Sequence, residues 1–145
     1  MGFSVSASAA IIFAAMFISM GILYPAVSNG VEDVSDARAD SADVLLDQQN
    51  TAISVANVSY DAPSTTLTVD VDNTGTTDLS VDATDVLVNN SYATPSATAV
   101  AGDTDTDLWL PGERLTVTVD VSLTADGSNR VVVVTNHGIS QAEVL

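Results

Sequence analysis

The sequence predicts a mainly β fold: an immunoglobulin-like β-sandwich carried on a single N-terminal transmembrane α-helix through a helical stalk. Three observations predict it. No residue from Gly2 through Val31 carries a side-chain charge. From Ile53 onward apolar residues recur at every second position, the period of a strand. Turn signals rich in Pro, Gly, Asn and Asp then divide the chain into short runs. The expected division is residues 1–28 as transmembrane helix, 29–50 as acidic helical stalk and 51–145 as extracellular β-sandwich.

The anchor comes first. Ala7–Val27 is 21 residues long, about 31 Å as a helix, which matches the hydrocarbon core of a bilayer. A cleaved signal peptide would show a basic leader, a shorter apolar core and small residues after that core. Here no basic residue precedes the segment and the small residues Ser6–Ala10 open it, so a retained anchor in the lipid bilayer is expected. Orientation rests on two opposed signals. Arg38, the nearest basic side chain, favours a cytoplasmic C-terminal part. The sequons Asn57-Val-Ser59 and Asn89-Asn-Ser91 have meaning only outside the cell, which makes Asn57 and Asn89 glycosylation candidates. The expectation is N-terminus in, domain out. Ala7, Ala14 and Gly21 recur at sevenfold spacing with Ala10 between them, a candidate helix-packing stripe. The other reading of that stripe is the general abundance of Ala and Ser in the segment.

The stalk follows. Tyr24-Pro25 falls near the outer interface, where Tyr is favoured and Pro kinks a helix. Ser28 or Asn29 then offers a cap for a continuation whose first turn holds Glu32 and Asp33. Val27, Val31, Val34, Ser41, Leu45 and Gln48 follow a three-four spacing interrupted by Arg38. Two readings stay open: a short coiled coil with a second copy, or a solvated connector whose Leu45 and Leu46 pack on the domain.

In the head, Leu67, Val69 and Val71 alternate with Thr68, Asp70 and Asp72, and Leu115, Val117, Val119, Val121 and Leu123 alternate with Thr116, Thr118, Asp120 and Ser122. Each run predicts a strand with one buried face. Val131–Val134 is continuous, as expected of a strand covered on both sides. Asp61-Ala-Pro63-Ser, Asn73-Thr-Gly75, Asn89-Asn90, Pro111-Gly112 and Asp126-Gly127 mark the turns, and six to eight strands are expected. In the first strand Ile53 and Val55 face one way and Ala56, Val58 and Tyr60 follow out of register, which predicts a β-bulge near Val55-Ala56.

Charge and composition exclude several function classes. Nineteen acids face three basic residues and no lysine, for a formal net charge of −16. Residues 32–50 hold six acids against Arg38, and residues 51–145 hold thirteen against two arginines. Nucleic acid is not a partner for such a surface. A compact domain this acidic repels itself at low salt, whereas molar salt shortens the screening length to about 3 Å. An extreme halophile is therefore the expected source. The absence of cysteine removes disulfides and thiolate chemistry. His137, the single histidine, has no accompanying nucleophile motif, so no enzyme and no cofactor are expected. Asp103, Asp105 and Asp107 have the alternate spacing that opens a calcium loop, making them weak metal candidates. Leu108 stands where the loop needs Gly and Arg114 where it needs the closing Glu, so an acidic surface loop is preferred. Trp109 is expected to plug one end of the core; exposed instead, it would be an interaction anchor.

These residues carry a family resemblance. Tyr60–Gly75 with its Thr-Leu-Thr-Val-Asp-Val-Asp-Asn-Thr-Gly run, Asp-Val-Leu-Val-Asn-Asn at 85–90, Trp-Leu-Pro-Gly-Glu at 109–113 and Val-Val-Val-Thr-Asn-His-Gly-Ile at 132–139 resemble the archaellum accessory protein F (FlaF/ArlF) family of haloarchaea. The opening Met-Gly-Phe-Ser-Val-Ser and the stalk pattern Val-Ser-Asp-Ala-Arg-Ala-Asp are similar to that family too. The resemblance implies a stator of the archaellum motor: a single-pass protein of the archaeal membrane whose sandwich lies outside and engages the surface-layer protein. It also implies archaellum accessory protein G as a partner, in a homo- or hetero-oligomer. The sister protein G itself, or a pilin- or archaellin-like filament subunit, is the alternative. Filament subunits usually carry a basic leader with a processing site, which is not seen before this apolar helix.

Overall fold

The computed structural model describes residues 2–124 and 128–145, with side chains from Val5 onward; the predicted Asp126-Gly127 turn lies outside the described residues. Two compact units divide the chain, Met1–Asp43 and Val44–Leu145.

A single helix, α1, runs from Gly2 to Asn50. The expected new start at Ser28 or Asn29 is absent, because Pro25 lies inside the helix and does not end it. Proline removes one backbone donor and crowds the carbonyl four residues back, here that of Gly21, but the flanking helical bonds persist. Hydroxyls inside the helix are satisfied locally. Ser19 Oγ donates to the Ala15 carbonyl at 2.8 Å and Ser41 Oγ to the Ala37 carbonyl at 2.7 Å. For Ser19, inside the uncharged segment, this matters, since an unpaired hydroxyl in an apolar surround is costly.

Beyond Asn50 every element among the described residues is a strand. In order, the strands are β1 Ile53–Asp61, β2 Thr66–Asn73, β3 Leu79–Ser80, β4 Asp85–Val88, β5 Ser91–Ala93, β6 Pro95–Val100, β7 Leu108–Trp109, β8 Arg114–Asp120, β9 Arg130–Val134 and β10 Ser140–Val144. They form antiparallel sheets ordered β1-β2-β8-β6 and β10-β9-β4-β5, with a small β3-β7 pair. The strand-period runs behave as their alternation predicts: Leu67, Val69, Val71, Leu115, Val117 and Val119 are all buried. They meet Val86, Val88, Val131 and Val133 of the second sheet in one shared core.

The bulge falls where the register slip places it. Val55 pairs with Val71 and Asn57 with Asp70, leaving Ala56 as the extra residue. Asn89 and Asn90 both have positive φ, at 51° and 66°, the two-residue turn that matches the twist of a hairpin. Two expectations need correction. The Leu115–Leu123 run is a strand only to Asp120, because its partner β2 starts opposite at Thr66. Val131–Val134 is covered on one face only: Val131 and Val133 are buried, while Val132 and Val134 lie half-buried on the outer face. There Val132 stands in a row with Ala142, Leu87 and Tyr92.

All four outer strands of the two main sheets are interrupted or short. β1 carries the Ala56 bulge, β6 begins with Pro95 and shifts register before Ala97, β5 has three residues, and β10 is exposed throughout with Glu143 within it. Each of these discourages a further strand from adding to the sheet.

Candidate functional site

The helix meets the head across two residues, Thr51 and Ala52, and the surrounding loops hold that passage tightly. Thr51 closes the helix, donating from both its amide (2.9 Å) and its hydroxyl (2.6 Å) to the Asp47 carbonyl. The β2–β3 loop then binds the passage through backbone donors. Thr76 N–H reaches the Asn50 carbonyl at 2.8 Å, and the amides of Thr74 and Gly75 both reach the Ala52 carbonyl at 2.9 Å. Gly75 is there because of proximity. A Cβ at this position would lie 2.5 Å from the Asn50 carbonyl oxygen and 2.6 Å from the Ala52 nitrogen.

Asn73 and the Leu110–Glu113 turn support that loop from below. Asn73 is buried; its Nδ2 donates to the carbonyls of Thr77 (2.9 Å) and Trp109 (3.3 Å), and its Oδ1 accepts from Gly75 N–H. Its own amide donates to the Glu113 carbonyl, and its carbonyl accepts from Gly112 N–H. The Glu113 carbonyl also accepts Trp109 Nε1 at 2.9 Å. Glu113 N–H closes the turn on the Leu110 carbonyl with Gly112 at φ 83°, which suits Pro at the second place and Gly at the third. The two motifs, Asn-Thr-Gly and Leu-Pro-Gly-Glu, therefore form one hydrogen-bonded collar at the base of the helix. In the sequence both read as turns with nothing to say that they face each other; the one signal was Asn73, an amide at the inward phase of the strand that Leu67, Val69 and Val71 define.

Beside the collar, Arg114 makes a paired contact with Asp72, Nε to Oδ1 at 2.6 Å and Nη2 to Oδ2 at 2.9 Å. The hydrogen bonds from the guanidinium hold the Asp72 carboxyl below the usual carboxylate range. A lowered folded pKa contributes stability that is complete above the ordinary carboxylate value and lost as pH falls through the lowered one. Arg114→Gln should return the Asp72 titration midpoint upward toward the usual range, which carboxyl NMR titration reads directly.

The remaining candidates are dispersed. Trp109 is fully buried, so its indole plugs the core and is not available as an interaction anchor on the head's surface. Asp103, Asp105 and Asp107 are exposed and are not gathered: among the described residues no group of three or more acidic, His or Cys side chains can hold a metal. Asp103 Oδ1 accepts from Asp105 N–H, and Asp107 accepts from the Ser80 hydroxyl and Asp82 N–H. These carboxylates shape the β6–β7 loop. His137 is half-buried in the β9–β10 turn, its ring beside the Asn136 amide. Asn57 is exposed at the bulge. Asn89 is exposed too, but its Nδ2, the atom a glycan would take, donates to Asn129 Oδ1 at 3.0 Å while its Oδ1 accepts from Arg130 N–H. Ala7, Ala10, Ala14 and Gly21 are exposed on α1, and a Cβ at Gly21 would meet nothing within 4 Å. Leu45 and Leu46 are more than half exposed, so they do not pack on the head as the solvated-connector reading supposed.

Helix α1 is long and apolar enough to cross a membrane, and it fits a single-pass anchor bearing an immunoglobulin-like head. The chain belongs to the archaeal-type flagellin family, whose model matches residues 2–143. Among solved structures, the archaellum periplasmic stator protein FlaG from Sulfolobus acidocaldarius is similar, with 17% identity and a TM-score of 0.52 over 66% of this chain and 99% of that one. The complex of the archaellum periplasmic stator proteins FlaF and FlaG from the same organism contains a similar chain, at 15% identity and a TM-score of 0.53, over 64% of this chain and 87% of that one. At these identities the likeness is one of fold. No curated protein matches the chain.

Proposed function

We propose that the chain is a stator component of the archaellum motor, of the accessory protein F type, rooted in the membrane of a halophilic archaeon with its head outside. The collar is the observation that carries this reading. A head that merely binds something needs only a loose entry; a part that bears load needs the chain ordered where it enters the head. Here the last helical turn enters β1 through two residues and is clasped by backbone hydrogen bonds from Thr74, Gly75 and Thr76. The fold likeness to FlaG and to the FlaF–FlaG complex supports the stator reading and accessory protein G as a partner. The envelope contact would be the surface-layer protein. With thirteen acids against two arginines, the head would meet an acidic envelope through packing or under strong screening.

The second reading, a filament subunit, is favoured by the flagellin family itself. Deletion of the gene separates the two. A stator loss leaves archaella assembled on cells that do not swim, seen by electron microscopy beside motility tracking. Loss of the filaments would refute the stator role and support the subunit.

A further inference from the structure

Helix α1 distributes its acids in a way that an isolated, solvated helix gains nothing from. With Val31 placed at position a of a heptad, Val27, Val34 and Ser41 fall at d and Arg38 at a; in the sequence the series extends through Leu45 and Gln48. Phe13, Phe17, Met20 and Tyr24 continue it toward the N-terminus at d, a, d and a. The acids Glu32, Asp33, Asp36, Asp40, Asp43 and Asp47 all fall at b, c or f. Position e is small throughout, at Ala7, Ala14, Gly21, Ser28, Ser35 and Ala42. Position g of the stalk holds Gly30, Ala37 and Val44.

Crowding the acids on one side has a cost. It sets Glu32 against Asp36, Asp36 against Asp40 and Asp43 against Asp47 at four-residue spacing, and each like-charge pair destabilises a helix by roughly 0.2–0.5 kcal/mol. The cleared face must repay this, yet within one copy it is bare: Val31 is 65% and Val34 52% exposed.

We infer that this face is the seam of a parallel, in-register pair between two copies of the chain. The charge pattern selects the occupant. In coiled coils the e and g residues choose the partner, and acids there would repel an identical helix. Here e and g are uncharged, and small apart from Val44, so these flanking positions add no repulsion between two copies and the Arg38 layer is the one place where like charges meet. A basic partner would be drawn to the opposite, acidic face. Two copies rooted in one bilayer share direction and depth, which gives every layer its own equivalent across the seam. Arg38 is the lone charge in the seam; a single polar residue at an a position fixes register and copy number at a cost in stability. The pair rests on the membrane-anchored reading of α1 and not on the stator role.

The chain has no cysteine, so one introduced thiol is the only one present. Single-cysteine full-length variants are oxidised in native membranes. Val34→Cys and Ser41→Cys should form disulfide dimers about tenfold or more faster than Asp36→Cys and Asp40→Cys, whose Cα atoms the pair holds too far apart to bridge. Adding Val34→Asp to Ser41→Cys should abolish that dimer, and adding Arg38→Ala should accelerate it. Equal rates at seam and outer positions, no dimer at any position, or capture of a different protein at Val34→Cys would overturn the pair. So would a detergent-extracted mass above two copies, which indicates filament packing. None of these readouts depends on swimming, so a failed stator test and a failed pairing test are distinguishable.

Discussion

Replacing Trp109 by alanine lowers the stability of the head by about 3–5 kcal/mol, the range for emptying a large aromatic site in a core. Trp109 is fully buried and is the largest of the side chains with essentially no exposure. Its loss also strips the Glu113 carbonyl of the Nε1 donor at 2.9 Å, although that oxygen keeps the Asn73 amide. Because domains are stable by only about 5–15 kcal/mol, the variant should lie near the edge of folding. Denaturant unfolding of the Val44–Leu145 unit, followed by circular dichroism, measures the loss. Trp109→Phe refills most of the volume without the indole donor and should recover more than half of it. A cost below about 1 kcal/mol for Trp109→Ala would mean that the indole is not a core residue.

Gly75→Val should cost about 1–3 kcal/mol by overpacking, and its effect should be confined to the base of the helix. The atoms in the way are backbone, the Asn50 carbonyl oxygen at 2.5 Å and the Ala52 nitrogen at 2.6 Å, and neither can swing aside as a side chain would. Relief requires the β2–β3 loop to retreat, which breaks the bonds from Thr74, Gly75 and Thr76 to Ala52 and Asn50. Hydrogen exchange should therefore quicken at those three amides while Val69 and Val117, deep in paired β2 and β8, keep their protection. Gly30→Ala is the contrast, since nothing lies within 4 Å of a Cβ there and a helix gains up to about 1 kcal/mol from the exchange. Equal behaviour of the two variants would show that the collar is loose.

Much of the fold could be read from periodicity. The alternating runs around Val69 and Val117 place their buried faces without ambiguity, and the slip at Val55-Ala56 locates a bulge because a strand allows no odd step. Elements too short to have a period were invisible: Leu79-Ser80 and Leu108-Trp109 pair across a long separation, and two residues carry no pattern. Val131–Val134 misled because a run of valines fits either a doubly covered strand or an outer face that is apolar and open. Pro25 misled in the opposite sense, since one lost hydrogen bond does not end a helix whose other bonds remain. The collar was unreadable for a different reason: its bonds join Asn50, Asn73 and Glu113, and turn signals specify local bends without naming their distant partners.

The interrupted outer strands have a consequence for life at a surface. Proteins confined to a membrane meet their own kind at local concentrations that dissolved proteins seldom reach, and an open row of backbone amides and carbonyls under such crowding is a template for fibre growth. The bulge at Ala56, the proline at Pro95, the three-residue β5 and the acid at Glu143 take that template away at every margin of both sheets. Many heads can then stand side by side without fusing, and whatever association they make is left to faces and stems, where side chains rather than bare backbone decide who may join.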